Sequence, residues 1–184
     1  MLQLEQQTCS AIRLLGESSG ELRIGSMETF AAVRLPSALR QLRTRHPDLE
    51  LTVETSTSGG LLEKVLSHKL DCVFVGGPVC HDDLVCREIL TEDLVLVRSK
   101  HQPAPRETLI LFREGCAYRA RALSWRRECG RQISDVMELG TLDGILGCVA
   151  VGLGCTLMPA QVVEKSCYGD ELQVSPLPAH LSRI

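Results

Sequence analysis

A strand, a hydroxyl-rich turn, an amphipathic helix and a second strand follow one another near the start of this chain, and the same order is rebuilt after residue 107. In Glu21–Ser26 (ELRIGS), Leu22 and Ile24 alternate onto one face, as do Leu49, Leu51 and Val53 in Leu49–Thr55 (LELTVET). Leu35, Leu39 and Leu42 recur between them at helical spacing. A strand with one apolar face and a helix with one apolar stripe must bury them against each other, and crossover connections make the strands parallel. The recurrence predicts two α/β lobes with a cleft that closes on a small ligand, so function is sought at the carboxyl ends of the strands.

Composition narrows the partners. The net charge of −3 lacks the surplus of Lys and Arg that a nucleic-acid clamp requires. An aromatic share of 3% leaves few platforms for base stacking. No apolar run approaches the roughly 20 residues that span a bilayer. The start of the chain lacks a basic-then-apolar leader, so no membrane partner is expected. There are nine cysteines, an odd number with no CxxC pair, and several fall in apolar runs such as DCVFV and GCVAVGLGC. That usage fits reduced, buried thiols in a cytoplasmic protein better than a disulfide framework.

Along the chain, residues 1–15 read as the tail of a helix that stops at Gly16. Met27–Arg34 reads as a turn, with Pro36 in the first turn of a helix that ends near His46-Pro47. Leu61, Leu62, Val65 and Leu66 mark the next helix, and Asp71–Val75 has the continuous apolar character of a central strand. Strands are expected at 84–90 and 93–98. The proline-bearing run KHQPAPRE (100–107) is the expected crossover. Beyond it the pattern predicts strand 109–112, helix 118–128, strand 134–139, helix 141–151, strand 154–158 and strand 171–177. The expected division is 1–18 as a helix end and turn, 19–99 with 168–184 as lobe I, and 100–167 as lobe II.

Two hydroxyl-rich turns close the first two strands: Ser26-Met27-Glu28-Thr29, and Thr55 to Ser58 followed by two glycines. Beside helix N-termini, such hydroxyls join free N–H groups in a cradle for a carboxylate or another anion; their simpler role is to cap the helices. FREGCAYR (112–119) and ELGT (138–141) form the matching turns of the second lobe. Cys116 near a helix start is a candidate for a lowered thiol pKa, against the plainer role of a pocket-lining thiol. The cations Arg119, Arg121, Arg126, Arg127 and Arg131 read as a solvated helix face. Catalysis finds no support: there is no GxSxG elbow, no phosphate-binding GxxxxGK[ST] loop, and no metal-ligand spacing among five scattered histidines. GLGCTLMP precedes a strand rather than a helix, so its glycines mark a helix end and tight turn, not a dinucleotide site.

Three segments carry a family resemblance. GELRIGSMETFAAVRLPSALRQLRTRHPDLEL has an L-R-I-G strand, a threonine seven residues before the helix proline, and an H-P-D-L-E-L entry to strand two. It resembles the opening of the regulatory domain of LysR-type transcriptional regulators. LLEKVLSHKLDCVFVGG and VAVGLGCTLMP are similar to later segments of that domain, and the resemblance runs from about residue 20 to 178. It implies two Rossmann-like lobes of the type 2 periplasmic-binding-protein kind, with an inter-lobe cleft for a small, anionic effector. The effector-contacting positions it implies are Ser26, Met27, Glu28, Thr29, Thr57, Ser58 and Gly77 in the first lobe. In the second they are Cys116, Ala117, Tyr118, Gly140 and Thr141. Glu28 departs from the small or apolar residues usual in that turn. The resemblance further implies a homodimer, no cofactor, no metal and no catalytic residue. DNA contact is expected only through an N-terminal winged helix-turn-helix absent from this chain, of which residues 1–15 are the end of the linker helix. It also implies that the chain stops at Ile184, before the last strand and helix of the first lobe. Two alternatives remain open at this point. One is a redox sensor using Cys116 with Cys129, although Ala117 occupies the slot where that branch carries its cysteine. The other is an extracytoplasmic solute-binding protein.

Overall fold

In the computed structural model, which describes residues 20–101, 108–130 and 135–184, strand β1 (Gly20–Ser26) runs parallel to two neighbours. They are β2 (Leu49–Thr55) and β3 (Cys72–Phe74), in the order β2-β1-β3. Ile24 faces Val53 on one side and Cys72 on the other. As the central strand, β1 buries Leu22, Ile24 and Ser26. Helix α1 (Glu28–Val33) and helix α2 (Leu35–Arg45) follow it, joined at Arg34. Leu35, Ala38 and Leu42 of α2 are buried, so two members of the stripe legible in the sequence pack inward, while Leu39 is only half-buried and Ala38 takes the third inward position. Helix α3 (Ser58–Leu66) sits so close to β1 that a Cβ on Gly25 would meet Leu61 and Leu70 side chains at 2.6 Å. A glycine there lets a helix approach a strand backbone.

Met27–Arg34, expected to be a turn, is mostly helical. Phe30 is the reason: its ring stacks on Phe74 with centroids 4.7 Å apart and planes at 15°. That long-range contact favours a short helix which local propensity alone leaves undecided.

The chain divides into two units, Met1–Thr91 and Glu92–Ile184. The second opens with β4 (Leu94–Ser99), which pairs antiparallel with β7 (Thr156–Pro159) on one edge and β8 (Leu172–Pro176) on the other. A parallel pair, β5 (Leu109–Leu111) and β6 (Val136–Glu138), joins β7 through the Leu109–Cys155 bridge. Helix α4 (Ala117–Glu128) buries Tyr118, Ala122, Trp125 and Arg126. Helix α5 (Leu142–Ala150) buries Leu142, Ile145, Leu146, Val149 and Ala150. Helices α6 (Ala160–Lys165) and α7 (Ala179–Ser182) complete the unit.

Two expectations change here. Residues 92–99 and 168–184, assigned from sequence to lobe I, belong to the second unit, because β4 and β8 take their hydrogen-bond partners there. Strand pattern reveals that a strand exists but not which edge accepts it. The strand expected at 84–90 does not form. Val85 is 98% exposed there, and no neighbouring strand accepts the segment's backbone groups among the described residues. The other expected strands and helices of the second unit lie within two residues of their predicted bounds. Residues 1–18 and most of the 100–107 crossover lie outside the described residues.

The GLGCTLMP segment contains two different glycines. Gly152 follows α5 with φ +80, the left-handed end of a helix, as expected. Gly154 serves close packing instead: a Cβ there would run into the carbonyl oxygen of Thr108. The backbone bonds Cys155 N–H to Thr108 O (3.0 Å) and Ile110 N–H to Cys155 O (2.9 Å) draw these two strands together.

Candidate functional site

At the carboxyl edge of the first sheet, three chain segments are laced by backbone bonds. Met27 N–H donates to Phe74 O (3.1 Å), and Ser56 N–H donates to Ser26 O (3.2 Å). The turns after β1, β2 and β3 are thereby brought together, where an open parallel sheet places ligands. Ser26, Met27, Glu28, Thr29, Thr57, Ser58 and Gly77 all sit on these three segments.

Their hydroxyls are not equally available. Ser26 is fully buried and its Oγ donates to the Met27 carbonyl at 3.0 Å. Ser58 Oγ donates to Met27 Sδ (3.3 Å) and accepts the Gly76 N–H (3.2 Å), so its one proton is engaged within the fold. Thr29 is buried. Glu28 is half-buried in the first turn of α1, where a carboxylate favours the positive end of a helix. Thr57 differs from the rest. Its Oγ1 accepts the Gly60 N–H at 3.3 Å as the N-cap of α3, which leaves its own proton to donate. The N–H groups of Ser58 and Gly59 have no intrahelical partner by helix geometry. Gly77 has φ +88 with open space around it. The four hydroxyls expected to act together therefore divide: one cap with a donor to spare, and three turned to the structure.

The second unit has its own edge. Leu139 N–H donates to Leu111 O (3.0 Å), so the turns after β5 and β6 lie side by side. Cys116 is the N-cap residue of α4, without a side-chain cap bond. Burial pushes its thiol up, over the opposing pull of the Arg119 and Tyr118 N–H groups and the Arg119 charge, so the lowered pKa considered from sequence is not found. Ala117 opens the helix, half-buried. Tyr118 is buried, and its hydroxyl donates to Glu92 Oε2 at 3.0 Å, so it serves the interior rather than an open turn. Thr141 Oγ1 accepts the Gly144 N–H at 3.2 Å as the N-cap of α5.

Three arginines alter the electrostatics expected here. Arg119 donates to Phe112 O (2.8 Å) and pairs with Glu138 (3.1 Å), and Arg126 is buried, so the cationic run on α4 is not simply a solvated face. Arg113, not among the expected site residues, lays its guanidinium over Gly140. A Cβ on that glycine would meet Nη2 at 3.4 Å and both Cζ and Nε at 3.7 Å. The signal for it was present in FREG: a cation placed just past the carboxyl end of a strand.

Cys116 and Cys129 cap opposite ends of α4. Thirteen positions at about 1.5 Å each hold them roughly 20 Å apart, against the ~7 Å limit for Cα atoms of a disulfide. A bond between them requires unwinding most of that helix. Among the described residues, no group of three or more His, Cys, Asp or Glu side chains is placed to hold a metal ion. No described helix is long and apolar enough to cross a membrane.

Comparison with known proteins places these edges in context. The model of the LysR substrate binding domain matches residues 15–183. The HTH-type transcriptional regulator GltR of Bacillus subtilis is 39% identical over 161 residues, covering 82% of this chain and 54% of that protein. The chain thus spans little more than half the length of that curated relative. Among solved structures, the reduced regulatory domain of OxyR2 from Vibrio vulnificus superposes with TM-score 0.75 at 23% identity, covering 92% of this chain and 85% of that one. The effector binding domain of QuiR in complex with shikimate does so with TM-score 0.71 at 16% identity, covering 88% and 82%. At those identities, both comparisons speak to the fold alone.

Proposed function

Since this chain belongs to the LysR substrate-binding-domain family and has its type 2 periplasmic-binding-protein-like fold, we propose that it senses a small effector at the carboxyl edges of its parallel strands. In the first unit, Thr57 and the N-terminus of α3 supply the donors. The second unit has its own strand-end turns at Cys116–Ala117 and Gly140–Thr141. The observation that carries this reading is the state of Thr57, whose oxygen caps α3 while its proton is left to donate beside two N–H groups without intrahelical partners. The capture of a domain of the same fold with shikimate supports a small-molecule ligand. In the whole protein, effector occupancy would control transcription through a DNA-binding part, in a cytoplasmic homodimer. No catalytic step is assigned to it.

Titration calorimetry of the chain against a panel of small metabolites tests this reading. An effector whose affinity falls about tenfold in Thr57→Val and stays within twofold in Thr57→Ser is the expected result, since one bond to a charged group is worth on the order of 1.5–3 kcal/mol. An effector bound equally by the folded Thr57→Val protein removes this edge from the site.

A further inference from the structure

We propose that the Tyr118 hydroxyl is a latch coupling the Cys116–Ala117 turn to Glu92, the residue at which the chain passes from its first unit into its second. Tyr118 is thus a positioning residue rather than a ligand contact. This rests on the effector-sensing reading of that turn and adds how a change at the turn is passed on.

Glu92 opens the second unit, directly after the boundary at Thr91. Its main chain is gripped from both directions: its N–H donates to Ile184 O at 2.8 Å, and Ile184 N–H returns a bond to Glu92 O at 3.1 Å. Asp93 and Arg183 continue this antiparallel pairing, and Ala160 N–H donates to Asp93 O at 3.0 Å. The Glu92 side chain turns inward, with the residue only 9% exposed, and Oε2 accepts the Tyr118 hydroxyl at 3.0 Å. Tyr118 is the second residue of α4, two positions past the N-cap Cys116, and is itself buried. A residue in the first turn of a helix cannot shift its ring without moving the N–H groups of that turn. With the hydroxyl buried, water offers no substitute for the bond. A shift of the turn therefore carries Glu92 with it or leaves a buried oxygen short of a donor. Glu92 in turn moves only with the short ladder that it forms with Ile184, so turn, hydroxyl and ladder respond together.

The test combines amide hydrogen exchange, followed by NMR, with timed iodoacetamide labelling of Cys116, read by peptide mapping. Both are run on the parent chain, Tyr118→Phe, Glu92→Ala, Glu92→Gln and the double variant Tyr118→Phe/Glu92→Ala. Ser99→Ala is the control, since it breaks a different buried bond of the same unit, Ser99 Oγ to Ala150 O at 2.7 Å. Tyr118→Phe should speed exchange of the Glu92 and Ile184 amides about tenfold, as expected for losing one hydrogen bond. The Ile110 amide of β5 should hold its parent rate. Coupling is reciprocal, so Glu92→Ala should speed labelling of Cys116 about tenfold, and the double variant should label no faster than the faster single one. Glu92→Gln keeps an oxygen that can accept the hydroxyl and should label close to the parent rate, and Ser99→Ala should move neither readout more than about twofold. Unchanged exchange at Glu92 and Ile184 in Tyr118→Phe would overturn the coupling. So would an equal acceleration at Ile110, which marks a loss of overall stability, or additive labelling in the double variant. None of these outcomes bears on the effector-sensing reading itself, which the calorimetry on Thr57 decides.

Discussion

Arg23 and Asp71 clasp each other at three points: Nη2 to Oδ1 at 2.7 Å, Nε to Oδ2 at 3.1 Å, and the Arg23 backbone N–H to Oδ2 at 2.8 Å. Asp71 N–H returns a bond to Arg23 O at 2.9 Å. The pair ties β1 to the entry of β3 and so fixes where Phe74 and the following loop emerge. Hydrogen bonding to Arg23 is the main force holding the Asp71 carboxyl below its ordinary value, over the opposing effect of burial. A carboxyl with a depressed pKa stabilises the fold above its unfolded pKa, and that contribution is lost as pH falls through the folded value. The stability difference between the parent and Asp71→Asn should therefore be constant near neutrality and shrink in acid below the usual carboxylate range. Urea midpoints measured across that range check it. With both side chains about one-third exposed, solvent screens the pair, so the difference should be modest.

Gly154 and Gly77 should respond differently to alanine. At Gly154 the new Cβ meets backbone, the Thr108 carbonyl oxygen, which cannot swing aside as a side chain can. Gly154→Ala should cost about 3 kcal/mol or more. At Gly77 the space is open and only φ +88 resists, so Gly77→Ala should cost about 1–2 kcal/mol. Denaturant unfolding of the two variants decides it; a Gly77→Ala loss equal to that of Gly154→Ala contradicts the packing account.

The stacked Phe30 and Phe74 rings hold α1 against β3. Phe30→Ala should destabilise by about 3–5 kcal/mol, with a coupling to Phe74→Leu of roughly 0.5–1.5 kcal/mol in a double-mutant cycle. Additive losses would show that the rings merely fill space.

Ser58→Ala removes one bond to Met27 and leaves the Gly76 N–H without its acceptor. A loss of about 1–2 kcal/mol in stability is expected. Effector affinity should change far less than in Thr57→Val, because the Ser58 proton already has a partner. A larger affinity loss in Ser58→Ala than in Thr57→Val would reverse the roles of these neighbours.

The cysteines should alkylate in an order set by burial. Cys72 is pushed up to about 12, chiefly by burial and then by the negative charge of Asp71. Cys116 is raised by burial, and Cys129 is exposed. Thiolate is the reactive form. Of these three, timed iodoacetamide labelling with peptide mapping at neutral pH should therefore find Cys129 first and Cys72 last. Because the folded chain resists ionising Cys72, its stability should also decline as pH rises from about 9 towards 12.

Much of this protein is legible in one dimension because its local patterns carry their own reason. The alternation of Leu22 and Ile24, the Leu35–Leu42 stripe, and the left-handed Gly152 after α5 need only the periodicity of a strand or helix and the steric freedom of glycine. The ordered run of family motifs likewise located the turns that close the strands. Other facts depend on partners distant in sequence. Residues 94–99 and 172–176 are strands by pattern, but their unit is decided by which edges they pair with, far away in sequence. Residues 28–33 become a helix because Phe74 offers a ring to Phe30. The four hydroxyls of the first two turns are equivalent as letters. Ser58 differs from Thr57 only because Met27 and Gly76 arrive beside its oxygen. Arg113 acquires its position because the β6 turn presents Gly140 under it. Periodicity is a property of neighbours in the chain, whereas the availability of a proton or a charge is set by what the folded chain brings next to it.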